Sequence, residues 1–179
     1  MITPTARETI GETVRKLTII WMAMLGSVGV YVAITLFVAS GMPPLMKLTP
    51  ELSVMLKAIL AVISGLNLAV VFFLDKRLRS RDAILATLKG QGFGAFQPGA
   101  GEEDEGRRNI VILVAAYFQL CLIKWALVET IAIYGLVLAF VTSETLAPSM
   151  FYLAAAVFMA NMKPRDSELE EIFRHGGVL

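Results

Sequence analysis

One cysteine and one histidine occur in 179 residues: Cys121 lies inside an apolar segment and His175 sits alone near the C-terminus. A disulfide framework needs paired cysteines, and thiolate or imidazole metal sites need several ligands at defined spacings, so neither a metal site nor a bound cofactor is expected. Charge is scarce too, with 17% charged against 56% hydrophobic residues and a mean hydropathy of +0.69. That balance lies far from the soluble globular class. The net charge is +1, and the basic residues gather at the ends of apolar segments rather than on one face, so no nucleic-acid partner is expected. There is no cleavable signal pattern, because Met1 to Lys16 is polar and the first apolar run is long enough to span. An enzyme is not expected, since no nucleophile, base and orienting group can be assembled at one depth.

What remains is a set of four apolar segments, Leu17 to Ser40, Val54 to Leu74, Ile110 to Val141 and Thr145 to Met162. A helix needs ~20 apolar residues to cross ~30 Å of hydrocarbon. The first two segments fit, the third is too long and the fourth is short. Placing Tyr31 over Tyr134 also sets Ala23 on Ala126, Phe37-Val38 on Phe140-Val141 and Ser40 on Ser143. At a different offset, Ala69 to Asp75 resembles Ala155 to Asn161, each followed by basic residues. This points to a duplicated two-helix unit, with chance similarity as the alternative because fewer than half the positions match. In the repeat register the membrane core of the third segment is Cys121 to Ser143, and Ile110 to Leu120 extends the helix beyond it.

The expected fold is an all-α integral membrane protein of four transmembrane helices. Residues 1–75 form a first hairpin with an amphipathic N-terminal segment, 76–109 a cytoplasmic linker, 110–162 a second hairpin and 163–179 a cytoplasmic tail. Lys and Arg flank the first span, fill the central loop and follow the last span, while the opposite loops hold little more than Lys47. This places both termini and the central loop in the cytoplasm, in a multi-pass inner-membrane protein. Gly41-Met-Pro-Pro44 ends the first span and Pro50-Glu51 opens the second. Ser143 and Thr145 are candidate caps for the fourth helix. Gly90 to Gly101, followed by the acidic Glu102 to Glu105, reads as a linker; it lacks the spacing and the Gly-Lys-Ser/Thr of a phosphate loop. Asp166 to His175 is predicted as a short amphipathic helix with Leu169, Ile172 and Phe173 on one side, ended by Gly176-Gly177.

Glu129 stands in the most apolar part of the chain, within Ala126 to Phe140. An ionisable group at bilayer depth costs at least ~3 kcal/mol on insertion scales, so it is seldom kept without a partner or a task. A neutral carboxyl there can hydrogen-bond a neighbouring helix, and Asn67 and Ser64 on the second span are the expected partners. Lys124 is expected to snorkel to the headgroups, with pairing to a carboxylate as the alternative, and Lys57 to snorkel at the opposite end of the second helix. Gly135 with Ala139, and Gly29 with Ala33, have the small-xxx-small spacing of close helix packing. Trp21, Trp125 and Tyr117 read as packing or interface anchors.

The run Ala126 to Phe140, Ala-Leu-Val-Glu129-Thr130-Ile-Ala-Ile-Tyr134-Gly-Leu-Val-Leu-Ala-Phe, resembles the carboxylate-bearing helix of the proteolipid (c-type) subunits of rotary ATP synthases. The resemblance implies that Glu129 is an ion-binding carboxylate, that Thr130 supplies a coordinating hydroxyl and that Tyr134 supports them. It covers only this run. The family's glycine-dense second helix has no counterpart in Val54 to Leu74, which contains only Gly65, and its short Arg-Gln-Pro loop is replaced by a long linker with Gln97-Pro98. Two functions are therefore expected as alternatives. One is a structural or accessory subunit of a membrane complex in which Glu129 is an interhelical hydrogen-bonding carboxyl. The other is a proteolipid-like subunit translocating protons or sodium through Glu129. The expected partners are the lipid bilayer and other membrane subunits or further copies of the chain.

Overall fold

A computed structural model describes residues 4–41, 43, 45–46, 48–78, 80–89 and 105–177. The fold is helical, with no strand among the described residues: α1 (Pro4–Gly41), α2 (Pro50–Leu78), α3 (Arg81–Leu88), α4 (Glu105–Thr142), α5 (Leu146–Asn161) and α6 (Asp166–His175). The run Gly90 to Gly101 and the acidic residues Glu102 to Asp104 lie outside the described residues.

Three helices are long and apolar enough to cross a membrane, over Arg7–Gly41, Pro50–Arg77 and Arg108–Thr142. The apolar α5 has 16 residues, or ~24 Å of rise, less than the ~30 Å of a hydrocarbon core. In α4, 44% of the most apolar window is buried inside the protein, against 17% in α1 and 11% in α2. α4 is therefore the packed helix, while α1 and α2 turn large apolar side chains such as Val30, Leu36, Phe37, Val62 and Phe72 outward. A soluble fold of this size seldom exposes so much contiguous apolar surface. The 38 residues of α4 rise ~57 Å, so its length exceeds any hydrocarbon layer.

Local chemistry sets the boundaries. Pro50 opens α2 at a position where its missing N–H costs nothing, and Lys76 and Arg77 favour the negative end of the helix dipole. Ser80 caps α3, accepting from the Ala83 amide at 3.3 Å. Ser143 breaks the chain between α4 and α5 by taking a left-handed conformation, φ 53°. Thr145 holds the N-cap position of α5 without a side-chain capping bond, unlike the cap its sequence suggests. α6 carries Asp166 and Glu168 in its first turn and ends at Gly176, with Gly177 at φ 70°.

Contacts divide the chain into two compact units, and each draws on both halves of the sequence. The first contains Met1–Ile20, Phe72–Lys124 and Pro164–Leu179. Its core is built from Leu17, Ile84, Leu113, Tyr117, Leu169 and Phe173, with α3 against α6. The second contains Trp21–Val71 and Trp125–Lys163, with Trp125, Val128, Ile131, Leu138, Ala155 and Met159 in its core. There Gly135 lets α5 approach α4 closely: a Cβ on it would stand 2.9 Å from Tyr152 Cε1 and 3.0 Å from the Pro148 carbonyl oxygen. A Cβ on Gly29 would meet nothing within 4 Å, so the same spacing on α1 serves no contact inside the protein.

Candidate intramembrane carboxyl site

Glu129 lies half-buried on α4, and its partners come from α1. Ser27 and Tyr31 are one helical turn apart and so share a face. Ser27 Oγ lies 2.6 Å and the Tyr31 hydroxyl 3.0 Å from the same carboxyl oxygen, Glu129 Oε1. Ser27 Oγ also lies 2.6 Å from the Met24 carbonyl oxygen. A serine hydroxyl has one proton, so it can serve only one of those two acceptors at a time.

The same face of α1 carries a third hydroxyl one turn further on. Thr35 Oγ1 and the Tyr152 hydroxyl of α5 are 2.5 Å apart and buried. Ser27, Tyr31 and Thr35 thus form a polar ladder that ties α1 to α4 through Glu129 and to α5 through Tyr152. The Trp21 indole adds a bond from α1 to the Met159 carbonyl at 2.8 Å, and the Trp125 indole one from α4 to the Met162 carbonyl at 3.2 Å. Both serve carbonyls at the C-terminal end of α5, where a helix leaves acceptors unmatched.

The other residues singled out from the sequence are placed differently. Ser64 donates to the Leu60 carbonyl of its own helix at 2.8 Å, and Asn67 is half-exposed with no hydrogen bond to a described residue, so neither partners Glu129. Thr130 Oγ1 donates to the Ala126 carbonyl at 2.8 Å, and the half-buried Tyr134 makes no hydrogen bond to a described residue. Neither side chain is hydrogen-bonded to Glu129. By sequence, Tyr31 stands out only as a register mark for the repeat, and nothing local marks Ser27. Their signal was the four-residue spacing Ser27, Tyr31, Thr35 in an otherwise apolar span.

Lys57 and Lys124 are both ion-paired, and for Lys124 the alternative, pairing with a carboxylate, replaces the expected snorkelling. Lys57 Nζ reaches both oxygens of Glu144, at 2.7 and 2.9 Å. Lys124, only 7% exposed, donates to Asp75 Oδ1 at 2.7 Å. Too little of Lys124 reaches the surface for a snorkelling stem, and a buried ammonium needs a counter-charge. In the same unit Tyr117 donates to Glu168 at 3.1 Å, holding α6 to α4. A cleft of about 10 Å³, room for one water, is lined by Asp75, Tyr117, Lys124, Glu168, Glu171 and His175, and the buried His175 Nδ1 has no hydrogen-bond partner. No group of three or more His, Cys, Asp or Glu among the described residues is placed to hold a metal ion.

No family model, curated protein or solved structure matches this chain.

Proposed function

We propose that the protein is a structural or accessory subunit of a membrane assembly, with four membrane-spanning helices and no turnover of its own. In this reading Glu129 is a helix-joining carboxyl. The observation that carries it is the convergence of Ser27 and Tyr31 of α1 on one oxygen of Glu129. A carboxyl engaged twice by another helix of its own chain is held in place, whereas an ion carrier must release its ligands in each cycle. The proteolipid-like alternative asks Thr130 and Tyr134 to work beside Glu129, and the Thr130 hydroxyl is already bonded to its own helix.

The fourth span in this reading is α5. Glu144, paired with Lys57, marks one edge, and the basic residues beginning at Lys163 mark the other. The distribution of Lys and Arg places both termini and the segment between α2 and α4 in the cytoplasm. Single cysteines in the tail and in the α1–α2 and α4–α5 connections, labelled from one side of sealed vesicles, test that topology; a tail on the same side as either connection would overturn it. The role of Glu129 is tested by Glu129→Gln in proteoliposomes. The reading expects unchanged passive sodium and proton flux; a lost flux in a variant that folds and assembles normally would refute it in favour of translocation.

A further inference from the structure

Asn67 is the polar side chain of α2 whose needs the fold leaves unmet. Lys57 and Lys76 on this helix are about 19 residues apart, a rise of ~28 Å, close to the ~30 Å of a hydrocarbon core. Asn67 lies midway between them and so at the centre of the span. Its amide is half-exposed, is not enclosed by the protein and bonds to no described residue. The contrast with Asn161 is direct, because that amide donates to the Val157 carbonyl one turn back at 2.8 Å. On the same side of α2 as Asn67 lie the half-exposed Leu60 and Ile63 and the exposed Val70. Lipid can cover those side chains but offers nothing to an amide, and a polar group unsatisfied at that depth is costly.

We propose that this face of α2 is a self-association surface, on which the amides of Asn67 from two copies of the chain hydrogen-bond to each other across a two-fold axis along the membrane normal. A carboxamide carries an acceptor and two donors, so it complements itself. Two copies inserted with the same topology hold Asn67 at the same depth, and a two-fold axis makes the contact reciprocal. Leu60, Ile63 and Val70 supply the packing around the pair. The proposal rests on the reading of α2 as a membrane span and is independent of the role given to Glu129.

The test uses the purified full-length protein, fluorescently labelled at its N-terminus and reconstituted in phosphatidylcholine and phosphatidylglycerol vesicles over a range of protein-to-lipid ratios. Energy transfer should report a reversible dimer. Asn67→Leu should raise the dissociation constant about tenfold, as expected for loss of a reciprocal pair of intramembrane hydrogen bonds, while Asn67→Gln should stay within about threefold of the wild type. In a Cys121→Ala background, Asn67→Cys should form an oxidised dimer and Ala69→Cys, about 160° away around the helix, should not. The cross-link decides the matter should Asn67→Leu lose helicity. A wild type that is monomeric at every ratio, an Asn67→Leu that dimerises as the wild type does, or equal cross-linking at both positions would each overturn the proposal. So would a monomer that captures a different membrane protein through Asn67.

Discussion

Replacing Glu129 by leucine removes both of its contacts with α1. Ser27 keeps its bond to the Met24 carbonyl, but the Tyr31 hydroxyl loses its acceptor. Interhelical hydrogen bonds in membranes average ~0.6 kcal/mol each and reach ~1.7 kcal/mol. Two such bonds together with a stranded tyrosine hydroxyl give an expected loss of ~1–3 kcal/mol. Glutamine should cost less than ~1 kcal/mol, because its carbonyl oxygen in the place of Oε1 can still accept from both Tyr31 and Ser27. Reversible unfolding in mixed micelles, followed by tryptophan fluorescence, reads these differences. A double-mutant cycle of Glu129→Leu with Tyr31→Phe isolates the pair, and its coupling should be ~0.5–1.5 kcal/mol. Zero coupling, or a Glu129→Gln variant as unstable as Glu129→Leu, would sink the clamp argument.

The Asp75–Lys124 pair should respond asymmetrically, because its Lys124 side chain is 9% exposed and its Asp75 side chain 35%. Asp75→Asn strands the more buried charge and should destabilise by ~2–4 kcal/mol, whereas Lys124→Gln leaves the wetter carboxylate behind and should cost about half as much in the same unfolding assay. Gly135→Ala must push against Tyr152 and the Pro148 carbonyl and should cost ~1–3 kcal/mol, while Gly29→Ala, with open space around it, should stay within ~0.5 kcal/mol. Phe173 is fully buried, so Phe173→Ala should loosen α6 by ~3 kcal/mol or more, seen as faster tryptic cleavage after Arg165 or Arg174 with the spans still helical.

The helices were legible where a single physical signal dominates. Apolar length alone marks α1, α2 and α4, and the Leu169, Ile172, Phe173 stripe with the following glycines marks α6. Pattern failed where burial in the fold decides the outcome. Lys124 near the end of an apolar run looks like a snorkelling lysine whether or not a carboxylate waits beside it. Asp75 lies 49 residues away, and no local periodicity connects the two. Thr145 has a capping side chain in a capping position, yet the left-handed turn at Ser143 sets the entry to α5 without using it.

The partners of Glu129 were misassigned for a related reason. A polar side chain in a span advertises a need, not a direction. Ser64 and Asn67 lie on α2, but Ser64 is satisfied within its own turn and Asn67 is left half-exposed. The hydroxyls on α1 look weaker singly, since serine and threonine can satisfy themselves within a helix, as Thr130 does. What distinguishes Ser27, Tyr31 and Thr35 is their repetition every fourth residue, which sets all three along one side of α1. A stripe of that kind can hold two neighbouring helices at once, here α4 through Glu129 and α5 through Tyr152. Tyr31 cannot reach the carbonyl of its own preceding turn as serine and threonine do, so its hydroxyl needs an acceptor on another helix. The carboxyl in the middle of α4 and the tyrosine in the middle of α1 therefore account for each other, and the residues flanking Glu129 on α4 have no part in holding it.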